Sequence, residues 1–272
     1  MLELLGWGLA AGILGAILGI GGGILFVLIL PSYLAVLGIP DSEIVSFTVA
    51  NSLAATIFTT LSANFQQFRD KGFPWMEIGW ISAGGILSSL LLLKFFVNTP
   101  FYSKQTFQLL FLLVLVYMLI RMLKGVWQKR TKQPEPENSQ IPNKPILAIT
   151  GLFSGCVSPL TGMGGGIVLV PILHSFCQMP IRRSQSISLG VITITALASS
   201  FYNLKGEPTS IPSVAHAGFL LFPVVGMLSL GGMIGAILGL QFSARLPEKA
   251  SATLFAIFLV TVLSIQIFNV FS

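Results

Sequence analysis

Gly19-Ile-Gly-Gly-Gly23 and Gly162-Met-Gly-Gly-Gly166 stand 143 positions apart, each inside a long stretch free of charged residues. Glycine is poor in a helix interior and tolerates unusual turns, so each run should break its helix. A break leaves backbone N–H groups without intrahelical partners, and the helix that resumes after it presents the positive end of its dipole. Two such ends brought together would form an anion site from Gly21, Gly22, Gly23, Gly164, Gly165 and Gly166. That site needs no buried lysine or arginine. The competing use of glycine here is close helix packing, for which Gly8, Gly12, Gly15 and Gly19 are well spaced.

A polar stripe follows each run. Thr48, Asn51, Ser52, Thr56 and Thr59 fall at i, i+3, i+4, i+8 and i+11, one face of a helix, and Ser184, Ser188, Thr195 and Ser199 make a similar stripe in the second half. Such groups are costly against lipid and should face the interior or an aqueous path, which makes Asn51, Ser52 and Ser188 candidate ligands. Their competing use is hydrogen bonding between helices or back to the i−4 carbonyl. Ser154, Cys156, Ser158 and Thr161 precede the second run where the first half has Ala11, Ile13, Gly15 and Leu18. One polar lip of a pocket would therefore include Ser158 and Cys156, unless Cys156 is a small buried hydrophobe. His174 and His216 lie near segment ends, where a proton relay and an interfacial role are both open. Cys156 and Cys177 have no metal-ligand spacing, and there is no HExxH, Walker sequence, pair of intramembrane carboxylates or Ser/His/Asp set. Neither a metal, a cofactor nor a catalytic residue is expected.

The elements holding these residues must be membrane helices. Of 272 residues, 54% are hydrophobic and only 9% charged, with a mean hydropathy of +0.87. Soluble chains carry about 25% charged residues. The composition excludes a soluble enzyme, a secreted disulfide scaffold and a disordered chain. No Asp, Glu, Lys or Arg occurs over 4–40, 44–68, 145–181, 184–204, 208–244 or 250–272, and about 20 apolar helical residues cross a bilayer. A net charge of +6 would suggest nucleic acid for a soluble domain; here it gathers in one hydrophilic stretch and short loops, where it fixes orientation. Without a basic region or small-residue cleavage site near its start, the chain is not expected to carry a removable signal peptide.

A Pro-, Gln- and Asn-rich stretch at 128–145 reads as a cytoplasmic linker between a first membrane repeat, 1–127, and a second, 146–272. Ile39-Pro40 matches Met179-Pro180, Gly84-Gly85 matches Gly231-Gly232, and Pro100 matches Pro247, which indicates duplication. Each half reads as a glycine-broken stretch and three spans: 44–64, 76–96 and 104–123, then 185–203, 214–241 and 250–270. As one straight helix, 4–38 would be about 52 Å long, a poor fit to a core about 30 Å thick. If each broken stretch crossed once, Lys and Arg would divide 9 to 6 between the two sides; if each enters and returns, they divide 12 to 3. The second division matches the cytoplasmic excess of positive charge. The expected fold is an all-α polytopic membrane protein of two inverted repeats, each a broken hairpin plus three transmembrane helices, with both termini outside.

The sequence resembles the TauE/SafE family of membrane permeases. The resemblance rests on Gly12 to Gly23 with its echo Gly155 to Gly166, on Pro171, on the Arg69-Asp70-Lys71-Gly72 turn, and on Gly231-Gly232-Met-Ile-Gly235. It covers all but the linker, with one departure: Leu28 stands opposite Pro171, and the first-half proline is delayed to Pro31. The resemblance implies transport of sulfur-containing anions such as sulfite, sulfoacetate or other organosulfonates across the bacterial cytoplasmic membrane; the inverted duplication points to alternating access as the mechanism, with a passive anion channel as the alternative. Its implied partners are a small anionic substrate and the lipid bilayer, not nucleic acid. A homo-oligomer, a driving proton or ion gradient, and the direction of transport stay open.

Overall fold

A computed structural model describes residues 2–68, 73–97, 99, 102–127, 143–177, 179–210, 214–245 and 257–267. The Arg69–Gly72 turn, most of the linker and the start of the last expected span lie outside these residues. Ten helices are present among the described residues. They are α1 (Leu2–Leu18), α2 (Gly23–Val36), α3 (Ile44–Gln67), α4 (Trp75–Val97), α5 (Lys104–Trp127), α6 (Lys144–Thr161), α7 (Gly166–Pro171, continued by a π turn to Phe176), α8 (Ile181–Leu204), α9 (Phe222–Arg245) and α10 (Ile257–Ile267). By length and composition, α3, α4, α8 and α9 can each cross a bilayer.

Both glycine runs break the chain as their composition dictates. Gly19, Gly21 and Gly22 have φ of 71°, 76° and 79°, and Gly162, Gly164 and Gly165 have 69°, 79° and 73°. This left-handed region costs an L-residue roughly 1–2 kcal/mol. The first break folds the chain back so that Gly22 meets the Ala11 backbone, where a Cβ would come within 2.8 Å of the carbonyl oxygen. The two hairpins then diverge in detail. Pro31 sits late in a regular α2, whereas Pro171 ends α7 and the chain widens at once into a π turn.

Small residues let the hairpins press against distant helices. Gly8 and Gly12 of α1 touch the backbone of α9 at Gly231, Gly232 and Ala236. Reciprocally, Gly84 and Gly85 of α4 meet Ala148, Gly151 and Gly155 of α6. The first helix of each half thus packs on the fourth helix of the other. The packing reading of Gly8 and Gly12 is therefore the realised one. Between these pairs α3 and α8 cross at the centre, with Phe26, Phe47, Leu53, Ile167 and Ile192 fully buried around them.

One expected span is corrected. The 214–241 segment is not helical throughout: His216–Ala217 and Leu220–Leu221 pair as a short antiparallel β-hairpin, and α9 begins only at Phe222. Gly218, with φ of 54°, makes the tight turn. Asn51 holds the hairpin in place: its amide donates to the Phe219 carbonyl at 2.9 Å and its oxygen accepts from the Leu221 N–H at 2.8 Å.

Candidate functional site

The two breaks meet beside the α3–α8 crossing. Ser52 of α3 donates to the Gly162 carbonyl at 2.8 Å, and Ser188 of α8 donates to the Gly19 carbonyl at 2.9 Å. Each hydroxyl belongs to one half and binds the first glycine of the other half's break. Both are fully buried, where such a bond contributes about 1 kcal/mol and losing it strands a carbonyl. Gly23 lies against the Met163 backbone, and Gly21 and Gly164 both face the Thr56 methyl group and Ile192. Gly21, Gly22, Gly23, Gly164, Gly165, Gly166, Ser52 and Ser188 therefore come together.

The remaining candidates are arranged differently. Asn51 is fully buried, but its amide is engaged by the β-hairpin and by Phe47. Thr48, Thr56 and Thr59 give their protons to the carbonyls four residues back. A hydroxyl so engaged has no proton for an anion. Ser158 and, farther along α8, Ser199 are exceptions: both side chains are fully buried and neither hydroxyl has a partner. Ser158 stands one turn before Gly162, whose N–H donates to the Ser158 carbonyl at 2.8 Å. Cys156 is only half-buried and lies about 160° around the helix from Ser158, so α6 does not turn both toward the breaks. The available donors are the Ser158 hydroxyl and the first N–H groups of α2 and α7, whose caps, Gly22 and Gly165, supply no side-chain bond.

Two groups near the site escape the stripe pattern. Gln185 packs under Gly19 and donates to the Ile17 carbonyl at 3.3 Å. Thr193 donates to Thr60 at 2.8 Å and accepts from Asn64 at 2.9 Å, which ties α8 to α3 below the breaks. Their sequence signal is weak, because Gln185 and Thr193 fall between the repeating hydroxyl positions. The histidines lie elsewhere. Nδ1 of His174 is 2.8 Å from the Met179 carbonyl and Nδ1 of His216 is 3.1 Å from that of Val214, so in each ring Nδ1 carries the proton. Among the described residues no group of three His, Cys, Asp or Glu could hold a metal.

Polar ties close the bundle at both ends of α3, which is about 36 Å long at 1.5 Å per residue. At one end the Glu43 carboxylate accepts from the N–H and hydroxyl groups of Thr209 and Ser210. Burial opposes its charge, but those hydrogen bonds outweigh burial and hold the Glu43 carboxyl below its ordinary value. A lowered folded-state value contributes stability above the unfolded carboxylate range that is lost as pH falls through the folded value. Acidification into and below that range is therefore expected to loosen the 205–210 segment in hydrogen exchange, and Glu43→Gln should remove the pH dependence. At the other end Arg183 of α8 pairs with Glu77 of α4, whose side chain is 4% exposed.

Buried, uncharged helix breaks enclosed by four bilayer-length helices define a polytopic helical membrane protein. The family described as Sulfite exporter TauE/SafE matches residues 4–267. A probable membrane transporter protein of Methanocaldococcus jannaschii is 28% identical over 245 residues, 89% of this chain and 86% of its own length. Another from Haemophilus influenzae is 25% identical over 265 residues, 94% of this chain and 93% of its own. A third, from Bacillus subtilis, is 33% identical over 107 residues, 37% of each chain. The chain belongs to the TauE/SafE family. It is a multi-pass membrane transporter and not an enzyme.

Proposed function

We propose that this protein moves small sulfur-containing anions, sulfite or an organosulfonate, across a bacterial cytoplasmic membrane by alternating access between two inverted repeats, 1–127 and 146–272. The observation that carries the reading is the pair of crossed helix breaks: two sets of N-terminal amides beside the free Ser158 hydroxyl, in segments with no fixed cation. Neutral donors bind an anion without a buried charge that must itself be neutralised when the site empties. The description of the family supports the sulfur oxyanion class.

Inverted repeats draw support from the two end ties. If each glycine-broken stretch crossed the bilayer once, Glu43 and Ser210 would fall on opposite sides, as would Glu77 and Arg183. Their contacts fit hairpins that return to the side they entered. The ties also suggest how the cycle runs: with both closed and the breaks buried, the arrangement resembles an occluded intermediate, and opening either end would expose the site to one side.

Counterflow in proteoliposomes tests the mechanism. Vesicles loaded with unlabelled sulfoacetate or sulfite should transiently accumulate the labelled anion, and a cysteine introduced at Arg182 should be labelled only from the cytoplasmic side. Conductive flux without counterflow would establish the channel alternative instead.

A further inference from the structure

Four helices surround a cavity of about 280 Å³ that the anion site does not include. Val27 and Pro31 of α2, Thr48 of α3, Lys104 and Gln108 of α5, and Gln266 of α10 line it. Its inner end reaches the breaks: the Val27 side chain packs on Gly162, and Thr48 is one helical turn from Ser52. Its outer end carries Lys104, whose ammonium is 2.9 Å from the Asp41 carboxylate. That pair is loose, with side chains 40% and 74% exposed, and exposed pairs of this kind bind weakly and exchange partners. The cavity thus combines one mobile cation and two amides, and it ends beside the second break.

We infer that this cavity is an entrance site for the transported anion on the Glu43 side of the membrane, with Lys104 as its charged ligand. Asp41 is the competitor the anion displaces. The inference rests on the proposed anion permease and extends it to a second binding position. An arriving anion exchanges the Asp41 carboxylate for its own charge at Lys104, takes amide donors from Gln108 and Gln266, and waits one layer from the breaks. Lys104 concentrates anions at the mouth without entering the inner site, where a fixed cation would slow release.

The test uses the intact protein in phosphatidylcholine proteoliposomes with Cys156→Ala and Cys177→Ala, so that a cysteine placed by Ser32→Cys, at a lining position with no part in the proposed ligand set, reports the cavity. A sulfonate-bearing and a trimethylammonium-bearing methanethiosulfonate, each normalised to its rate with a free thiol, are compared from the Glu43 side. The anionic reagent is expected to react about tenfold faster, roughly the effect of one nearby charge in a partly screened cavity. Lys104→Gln should abolish that preference, Lys104→Arg keep it and Asp41→Asn enlarge it. Equal normalised rates, or a preference indifferent to Lys104, overturn the entrance site. A preference that vanishes only when phosphatidylglycerol is added overturns it too, because a lipid headgroup then holds the cavity. Selectivity that persists while sulfoacetate fails to protect against labelling removes the sulfur-anion reading and leaves the entrance site standing.

Discussion

Gly165→Ala is expected to abolish transport, with a loss of at least about a hundredfold. Two costs coincide at this residue. Its φ of 73° lies where an alanine is strained by roughly 1–2 kcal/mol. A Cβ would also be driven into the Ser154 carbonyl oxygen of the opposing hairpin arm. The hairpin arms must separate, and the first N–H groups of α7 then leave the positions they hold opposite α2. Gly22→Ala, with φ of 79° and the Ala11 carbonyl 2.8 Å from the added carbon, should behave alike. Gly79→Ala is the matched control, since nothing lies within 4 Å of its added carbon and the residue is helical. Vesicle uptake measured beside the monodisperse yield separates lost transport from lost assembly. Uptake by Gly165→Ala within twofold of the parent would refute the role given to the breaks.

Arg183→Met should destabilise the protein far more than Glu77→Gln does. Glu77 has a side chain only 4% exposed, whereas that of Arg183 is 35% exposed. Removing the arginine strands a buried carboxylate, a loss of about 3–5 kcal/mol when one partner of a buried pair is taken away. Removing the carboxylate leaves a guanidinium that can reach water along its own stem. The thermal midpoint in detergent should fall by several degrees for Arg183→Met, little for Glu77→Gln, and recover in the double variant. Equal losses from the two single changes would show that the pair is not asymmetric in this way.

Local chemistry was legible where a feature depends on nearby residues. Triple glycine announces a break wherever it occurs, so both hairpins and their left-handed residues follow from the runs alone. Ser52 and Ser188 could be singled out because each falls in the polar stripe of the helix that follows its run. Asn51 was legible as a buried polar residue but not as the clamp of a β-hairpin, because its partners Phe219 and Leu221 are about 170 positions away. The hairpin itself hides in an apolar stretch, where neither composition nor hydropathy separates two short strands from the start of a helix. Lys104, Glu77 and Arg183 looked like charges at helix ends; only the packing of α4 against α8 and the cavity beside α5 give two of them partners and the third a pocket. Threonine back-bonding follows from local geometry, yet the choice between that use and ligand binding depends on which donors the interior leaves unpaired.

The interlocked pairing of α1 with α9 and of α4 with α6 bears on how the chain is made. α1 leaves the ribosome long before α9, and the glycine face it offers stays uncovered until α9 is synthesised, 220 residues later. Helices α1–α5 therefore wait in the membrane with an open seam, as α6 does not once α4 precedes it. Expressed alone, neither half should yield a stable product, whereas the two supplied as separate polypeptides in one cell should find each other, because what completes each is a surface carried by the other.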